Sequence, residues 1–500
     1  MAKNASGAII PPFNQLSGKV RVPLHRQVYQ RIKYAILDGN LAPGVRLPSA
    51  RTLARDASVS RNTIEIAFAQ LEAEGFVERR VGAGSFVAAE MPDFVEKPSQ
   101  TRTTKISTNN VSNSLSERGR RIKAAAETDP TATLAFAPCM PSLDAFPLQT
   151  WNRLTARRAR LVGRDLLGNG DPAGYRPLRE AITDYLSTSR GVKSDWRQVV
   201  VLSSTQQALN LASQLLLDVG EEAWIEEPGY LGARAALKDA EARIVPVPVD
   251  AQGLNVELGI KLAPAARFAY ITPSHQYPLG VTMGLARRLA LLAWAESANA
   301  WIFEDDYDSE FRYTGRPLAA VQGLDSAGRV IYAGSFNKVM FPSLRLAYIV
   351  VPSPLVDAFI AARTLVDGAP PTLVQTVMTD FIAEGHFSSH LRQMRMLYHE
   401  RRDILLDSVT NELTDNLRIE TAEAGMHITG LTAKEVDDEK ISKQAAASKF
   451  HIPPLSRYYF LDCHKQAGLI LNFAGVTPEL IRSTIHTLAT ILINKTGTLQ

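Results

Sequence analysis

Ser335-Phe-Asn-Lys338-Val-Met-Phe-Pro-Ser-Leu-Arg345 is the stretch on which the fold of this 500-residue chain turns. It follows the apolar run Val330-Ile-Tyr-Ala333 and precedes a second, Leu346-Ala-Tyr-Ile-Val-Val351, which predicts a strand, a polar turn and another strand. A lysine alone in such a turn is an ordinary solvated residue. Here a serine stands three residues before it and an arginine seven after it, and a carboxylate-rich strand end, Ile302-Phe-Glu-Asp-Asp-Tyr307, lies about thirty residues upstream.

That grouping matches the needs of pyridoxal phosphate. The cofactor presents an aldehyde that condenses with a lysine amine, a ring nitrogen that draws electrons only while protonated, a phenolic oxygen and a phosphate dianion. Lys338 is the residue to form the imine and Asp305 the one to hold the proton on the ring nitrogen. Tyr307 would hydrogen-bond the phenolic oxygen, and Ser335 and Arg345 would take the phosphate.

The Ser-x-x-Lys turn with its arginine, the Asp305-x-Tyr307 strand end and Thr272-Pro-Ser-His-Gln-Tyr-Pro-Leu-Gly280 together resemble the aminotransferase-like part of MocR/GabR-type transcription regulators. The resemblance runs from about residue 15 to the C-terminus, apart from a central linker. It implies an N-terminal winged helix-turn-helix joined to a fold-type I aminotransferase-like body with a mostly parallel central sheet. The expected division is a DNA-binding domain over 15–89, a flexible linker over 90–130 and a cofactor-binding effector domain over 131–500.

Length alone suggests two or three domains, and 45% hydrophobic with 21% charged residues is an ordinary soluble composition. No apolar run approaches the roughly 20 residues of a membrane span, and the start lacks a signal-peptide core, so the expected location is the cytoplasm with no membrane partner. Cys139 and Cys463 stand far apart with no ligand-type spacing around them, which predicts packing residues and neither a disulfide nor a metal site. Charge is uneven: residues 1–90 carry 12 Lys and Arg against 7 Asp and Glu, while the body beyond residue 130 is slightly acidic. A basic module on a neutral body fits nucleic-acid binding, although a solvated basic face explains so small an excess nearly as well.

Leu24, Val28, Ile32 and Ile36 form one apolar helical stripe that Gly39 and Pro43-Gly44 end. Ser49 caps a short helix over 50–57, and Ser60 caps another whose Ile64, Phe68 and Leu71 face inward and which ends near Gly75. Two short helices across a tight turn read as a helix-turn-helix, and Phe76 to Val87 reads as a hairpin with a Gly-rich tip, a wing. The stretch resembles the GntR-type winged helix. The resemblance places Arg51, Ser60, Arg61, Asn62, Thr63, Gly82 and Gly84 at DNA. From Glu90 to Pro130 the chain is polar and reads as linker, with Arg118-Gly-Arg-Arg-Ile-Lys123 as a basic run open to DNA contact or plain solvation.

Beyond the linker, Val199–Leu202, Ala223–Glu226, Phe268–Ile271, Ala300–Phe303 and Val330–Ala333 are short apolar runs between helix-length stretches, an α/β pattern. In a parallel sheet the segments that follow them gather at one carboxyl edge. Ser204, Thr205 and Gln206 open a helix there and can cradle phosphate, although relatives often have Gly where Ser204 stands. The resemblance implies that Tyr230 stacks on the pyridine ring, and that His275, with Gln276, sits where aminotransferases keep an Asn-Pro motif. Near the C-terminus, the position at which aminotransferases hold a substrate carboxylate with arginine reads Ile470, and Arg457 is a candidate substitute.

The reading is a pyridoxal phosphate-dependent transcription regulator and homodimer. It binds double-stranded operator DNA through its winged helix and senses at the Lys338 imine a small amine, an amino acid or pyridoxal phosphate itself. The alternatives are an active aminotransferase carrying a DNA-binding head, against which Ile470 counts, and a plain repressor whose body has lost its cofactor, against which the intact lysine set counts.

Overall fold

The computed structural model describes residues 22–90, 115–125, 134–161, 163, 168–315, 318–419 and 423–496, and the chain divides into two compact units, residues 1–114 and 115–500. In the first unit, helices α1 (Leu24–Leu37), α2 (Ala50–Asp56) and α3 (Arg61–Ala73) precede a hairpin of β1 (Val77–Arg80) and β2 (Gly84–Val87). The four-residue spacing in α1 puts Val28, Ile32 and Ile36 on one face. They bury there with Leu53, Ile64, Phe68, Leu71, Phe76 and Val87 as a single core. Ser49 and Ser60 cap α2 and α3: each Oγ accepts the backbone N–H three residues on, at 3.1 Å.

The second unit is built on an eight-stranded sheet, order β3-β10-β9-β8-β7-β4-β5-β6. The strands are β3 (Val199–Leu202), β4 (Glu222–Glu227), β5 (Arg243–Asp250), β6 (Gly253–Leu254), β7 (Phe268–Ile271), β8 (Trp301–Asp306), β9 (Val330–Ser335) and β10 (Ala347–Val350). The run β5, β4, β7, β8, β9 is parallel, and β10 is antiparallel to both β9 and β3, so β3 shares the direction of β9. Both faces are covered. Val199 and Val201 enter one core while Val200 and Leu202 enter another, which is why the strand reads as an unbroken apolar run. A smaller antiparallel sheet of β11 (Arg418–Ile419), β12 (His427–Leu431) and β13 (Gly468–Asn472) comes, in sequence, between the 28-residue helix His386–Leu413 and the helix Pro478–Thr496, which pack on each other.

Four details depart from the sequence expectation. The link between β9 and β10 is a short helix, Phe336–Val339, and a tight turn, Pro342–Leu344, because Asn337 ties it down, donating to the Ser203 carbonyl at 3.0 Å and accepting from Leu346 N–H at 2.7 Å. β8 does not stop at Phe303 but runs through Glu304 and Asp306, whose carboxylates find partners inside the fold. β5 escaped notice because of Pro246 and Pro248; it is tolerated beside a two-residue neighbour at the sheet edge, where few ladder donors are needed. Within the expected linker, Glu117–Ala125 is a helix held to the body, with Arg118 bonded to both oxygens of Asp239 at 3.0 Å and Arg121 to Glu241 at 2.9 Å. Those two arginines are thereby committed to acidic partners. Among the described residues no helix is long and apolar enough to cross a membrane.

Candidate functional site

The carboxyl ends of β3, β4, β7, β8 and β9 share one edge of the sheet, and the side chains singled out from sequence collect there. Strand alternation separates three consecutive acids of β8. Glu304 accepts the backbone N–H groups of Val321 and Gln322 at 2.8 and 2.9 Å, and burial raises it to about 7. Asp306 pairs with Arg190 at 2.8 Å and accepts the Tyr332 hydroxyl at 2.6 Å. Asp305, 4% exposed, points to the opposite face. Its Oδ2 accepts the Tyr270 hydroxyl at 2.8 Å, and its Oδ1 has no partner among the described residues. Burial pushes its pKa up and the Lys338 ammonium pulls it back.

Lys338 has its Nζ 4.3 Å from the centre of the Tyr307 ring. Burial works against its charge, but Cys139, Asp305, Tyr230 and Asp308 hold the ammonium above the ordinary lysine range. The Tyr307 hydroxyl lies 3.0 Å from His275 Nδ1, which is also 3.0 Å from Asp308 Oδ2. One ring nitrogen serves one of these partners fully. When Nδ1 carries the proton it donates to Asp308, and the Tyr307 hydroxyl is free to donate elsewhere. His427 stands 4.7 Å from His275, centre to centre, with its Nε2 at 3.1 Å from the Pro278 carbonyl; burial keeps it neutral, far below the usual histidine range. Gly425, at φ +80°, is required here, since a Cβ would overlap the His275 ring. His275, Asp308 and His427 bring ligand-type atoms within 4.8 Å of one another, but His275 Nδ1 and Asp308 Oδ2 are already engaged with Tyr307 and the Met426 N–H.

The phosphate end follows from strand register. Ala347 of β10 pairs with Leu202 on one side and Ser335 on the other, so Arg345 stands just ahead of a strand flanked by Ser204 and Ser335. Arg345 is exposed and has no side-chain partner among the described residues. Ser204 caps the helix Thr205–Leu216 by accepting Gln207 N–H at 3.1 Å, and its φ of −164° is extended backbone that serine adopts without strain, so a glycine is not needed. Thr205 opens that helix. The Gln206 side chain, by contrast, is committed to Asn210 and the Gly232 carbonyl at 2.9 and 3.0 Å, which leaves only its backbone N–H for an anion. Ser335 Oγ accepts Asn337 N–H at 3.2 Å.

Tyr230 caps the helix Leu231–Asp239 and lies over Tyr270, rings 6.2 Å apart and near parallel. Gln276 does not face this space: its amide donates to Glu226 and to the carbonyls of Pro228 and Tyr277. The residue that does is its neighbour Tyr277, whose hydroxyl meets that of Tyr458 at 3.0 Å. Sequence reasoning missed Tyr270, Tyr277 and Tyr458, and treated Cys139 as packing although it adjoins Lys338. Tyr277 lay inside the quoted motif and could have been found there; Tyr458 and Cys139 come from distant segments and could not. Ile470 is buried among Tyr277, Tyr307 and Tyr458, whereas Arg457 is exposed on the turn before Tyr458.

In the first unit, Arg51, Ser60, Arg61 and Asn62 are exposed at the starts of α2 and α3. Thr63 is half-buried, its hydroxyl 2.8 Å from that of Ser60, so it belongs to the cap. Gly82 and Gly84, at φ +76° and +109°, form the hairpin tip, where Val81 is wholly exposed. Arg46, which bridges to Phe86 and lies against Gly84, is exposed and unpaired among the described residues, a basic group at the wing that sequence reading passed over. Arg79 is held by Glu65 and Glu72.

Residues 24–87 match the family model of bacterial regulatory proteins, gntR family, and residues 142–488 match aminotransferase class I and II. A winged-helix head and an aminotransferase-fold body in one chain define a class: transcription regulators built on the fold of an enzyme. The chain is 42% identical over 469 residues, 93% of each sequence, to the probable rhizopine catabolism regulatory protein MocR of Rhizobium meliloti. It is 27% identical over 91% of its length to the pyridoxine biosynthesis regulator PdxR of Corynebacterium glutamicum, 93% of which is matched. It therefore belongs to the MocR-type branch of the GntR regulators. Among solved structures, α-aminoadipate aminotransferase LysN of Thermus thermophilus matches 78% of the chain with all of its own, at a TM-score of 0.71 and 25% identity. The kynurenine aminotransferase of Pyrococcus horikoshii matches 77% with 98% of its own, at 0.69 and 26%.

Proposed function

We propose that this regulator holds pyridoxal phosphate on Lys338 and reads a small amine at that site, in the cytoplasm and as a dimer that offers two heads to operator DNA. The observation that carries the reading is a buried lysine within electrostatic reach of a buried carboxylate oxygen, Asp305 Oδ1, that has no partner among the described residues. A protonated ring nitrogen is the donor that oxygen fits, and the residues around it suit the rest of the group. When bound, the cofactor supplies an electrophilic carbon that exchanges one amine for another. Asp305, steadied by Tyr270, would keep the ring nitrogen protonated; Tyr307 would donate to the phenolic oxygen, oriented by His275 and Asp308. Tyr230 would cover the ring face. Arg345, Ser335, Ser204, Thr205 and the first amides of the helix Thr205–Leu216 would neutralise the phosphate.

At the head, Arg51, Arg46 and Arg61, the last only loosely paired with Glu65, offer exposed cations to backbone phosphates, while Ser60 and Asn62 stand at the opening of α3, where base edges are within reach. Ile470 sets the body apart from an aminotransferase that clamps a carboxylate with arginine, which favours sensing over turnover.

The test is an absorbance spectrum of the purified protein, before and after borohydride, beside Lys338→Ala. A near-visible band that borohydride fixes and the variant lacks is expected, as is a change in operator binding when an effector amine alters that band. A protein that shows no band with added pyridoxal phosphate overturns the reading.

A further inference from the structure

Resting on that reading of Lys338, we propose that the cleft selects primary amines lacking a carboxylate on the amino carbon, and that Ile470, Tyr277 and Tyr458 form the wall against which the rest of the effector lies. Alternation along β13 sends Leu469 and Leu471 into the main core and turns Ile470 to the opposite side. There Ile470, 0% exposed, packs with Tyr277, Tyr307 and Tyr458, flanked by Cys139, Tyr230 and Leu231. The Tyr307 ring lies 4.3 Å from Lys338 Nζ, so the wall begins one ring away from the reactive amine.

Asp305 and Asp308 are the carboxylates acting on Lys338, and the residues packed with Ile470 are tyrosines and small apolar side chains. Arg345 stands just ahead of the strand beside Ser204 and Ser335, and Arg457, next to Tyr458 in the chain, is exposed and acts on the Tyr458 hydroxyl from outside the buried cluster. A carboxylate brought against Ile470 would lose its water among buried apolar and tyrosine side chains and would have Ile470 where a guanidinium partner is needed. An amine whose remaining atoms are uncharged meets no such penalty. The hydroxyls of Tyr277 and Tyr458 share one hydrogen bond of 3.0 Å between two O–H groups, which leaves one hydrogen to donate to a neutral acceptor.

The experiment titrates the full-length protein, loaded with pyridoxal phosphate, with two matched pairs: L-phenylalanine against 2-phenylethylamine, and L-alanine against ethylamine. The readouts are the cofactor absorption band and tyrosine–tryptophan fluorescence. Each amine is expected to half-saturate at a concentration at least about tenfold below that of its amino acid. Ile470→Arg should narrow or invert the ratio by restoring a carboxylate partner, and the wild-type ratios decide alone if that variant does not fold. Amino acids that half-saturate at or below the concentration of their amines in the wild type overturn the proposal. Absence of any cofactor band sensitive to Lys338→Ala overturns the underlying reading instead, so the two failures are distinct.

Discussion

The two units use arginine and serine in opposite conditions. In the head, the Arg61 side chain is 73% exposed and touches Glu65 only loosely at 3.7 Å; beneath the cleft, the Arg190 side chain is 6% exposed and holds Asp306 at 2.8 Å. Ser60 caps its helix at an exposed corner, while Ser204 caps one at the end of a buried strand. A surface that meets a long polyanion keeps some of its cations exposed, as at Arg61, while others such as Arg79 stay bound to Glu65 and Glu72, because each contact to the polyanion is weak and many are summed. In the cleft the buried acids Glu304, Asp306 and Asp308 each have a partner inside the fold, while single oxygens such as Asp305 Oδ1 have none among the described residues.

That contrast can be broken most sharply at Asp305. Asp305→Ala removes a buried charge partner, a loss on the order of 3–5 kcal/mol, and titration of the cofactor band should show affinity for pyridoxal phosphate down by about a hundredfold or more. Operator binding by the cofactor-free protein should not change. Arg61→Ala should do the reverse: about 1–3 kcal/mol lost from operator binding, a log-log salt slope smaller by about one, and an unaltered cofactor titration. An effect of Arg61→Ala on cofactor binding would show that the two regions are not independent as drawn.

Smaller effects refine the comparison. Ser60→Ala should cost the head about 1 kcal/mol through the lost cap, seen as a lower midpoint of its thermal transition, with the body's transition unmoved. Glu304 gives a pH signature of the buried region. Its folded pKa, about 7, lies above the ordinary 4.5, so the folded state holds the extra proton and the group's contribution is full below about 4.5 and falls as pH rises through 7. The melting temperature of wild type relative to Glu304→Gln should therefore decline between pH 5 and 8. A difference that stays flat would place the proton elsewhere.

Much of this architecture was legible in the residues because the informative positions are local. A serine, a lysine and an arginine on one turn, and an acid and a tyrosine two apart on one strand end, carry their relation in their spacing. The stripe of α1 and the caps Ser49 and Ser60 are equally local, and the structure keeps them. What stayed hidden depends on long-range contact. The partners of Glu304 and Asp306, the Val321 and Gln322 amides and Arg190, come from distant segments. Gln276 looked available until Glu226 was found beneath it, and Tyr458 enters the site from nearly two hundred residues beyond Tyr277. The prolines of β5 concealed a strand that edge position permits.

The helix Leu231–Asp239 begins at Tyr230, over the cofactor space, and ends at Asp239, which with Glu241 holds the helix Glu117–Ala125. Nine residues of α-helix span about 13 Å, a stiff strut with an aromatic ring of the cleft at one end and an ion pair at the other. The polypeptide that leads to the DNA-binding head is moored there by ion pairs half open to solvent, each worth about 0–1 kcal/mol and weakened by salt. Tyr230 and Asp239 thus stand at the two ends of one rigid element, and loss of the Asp239 and Glu241 carboxylates would release the helix Glu117–Ala125 without touching the cleft.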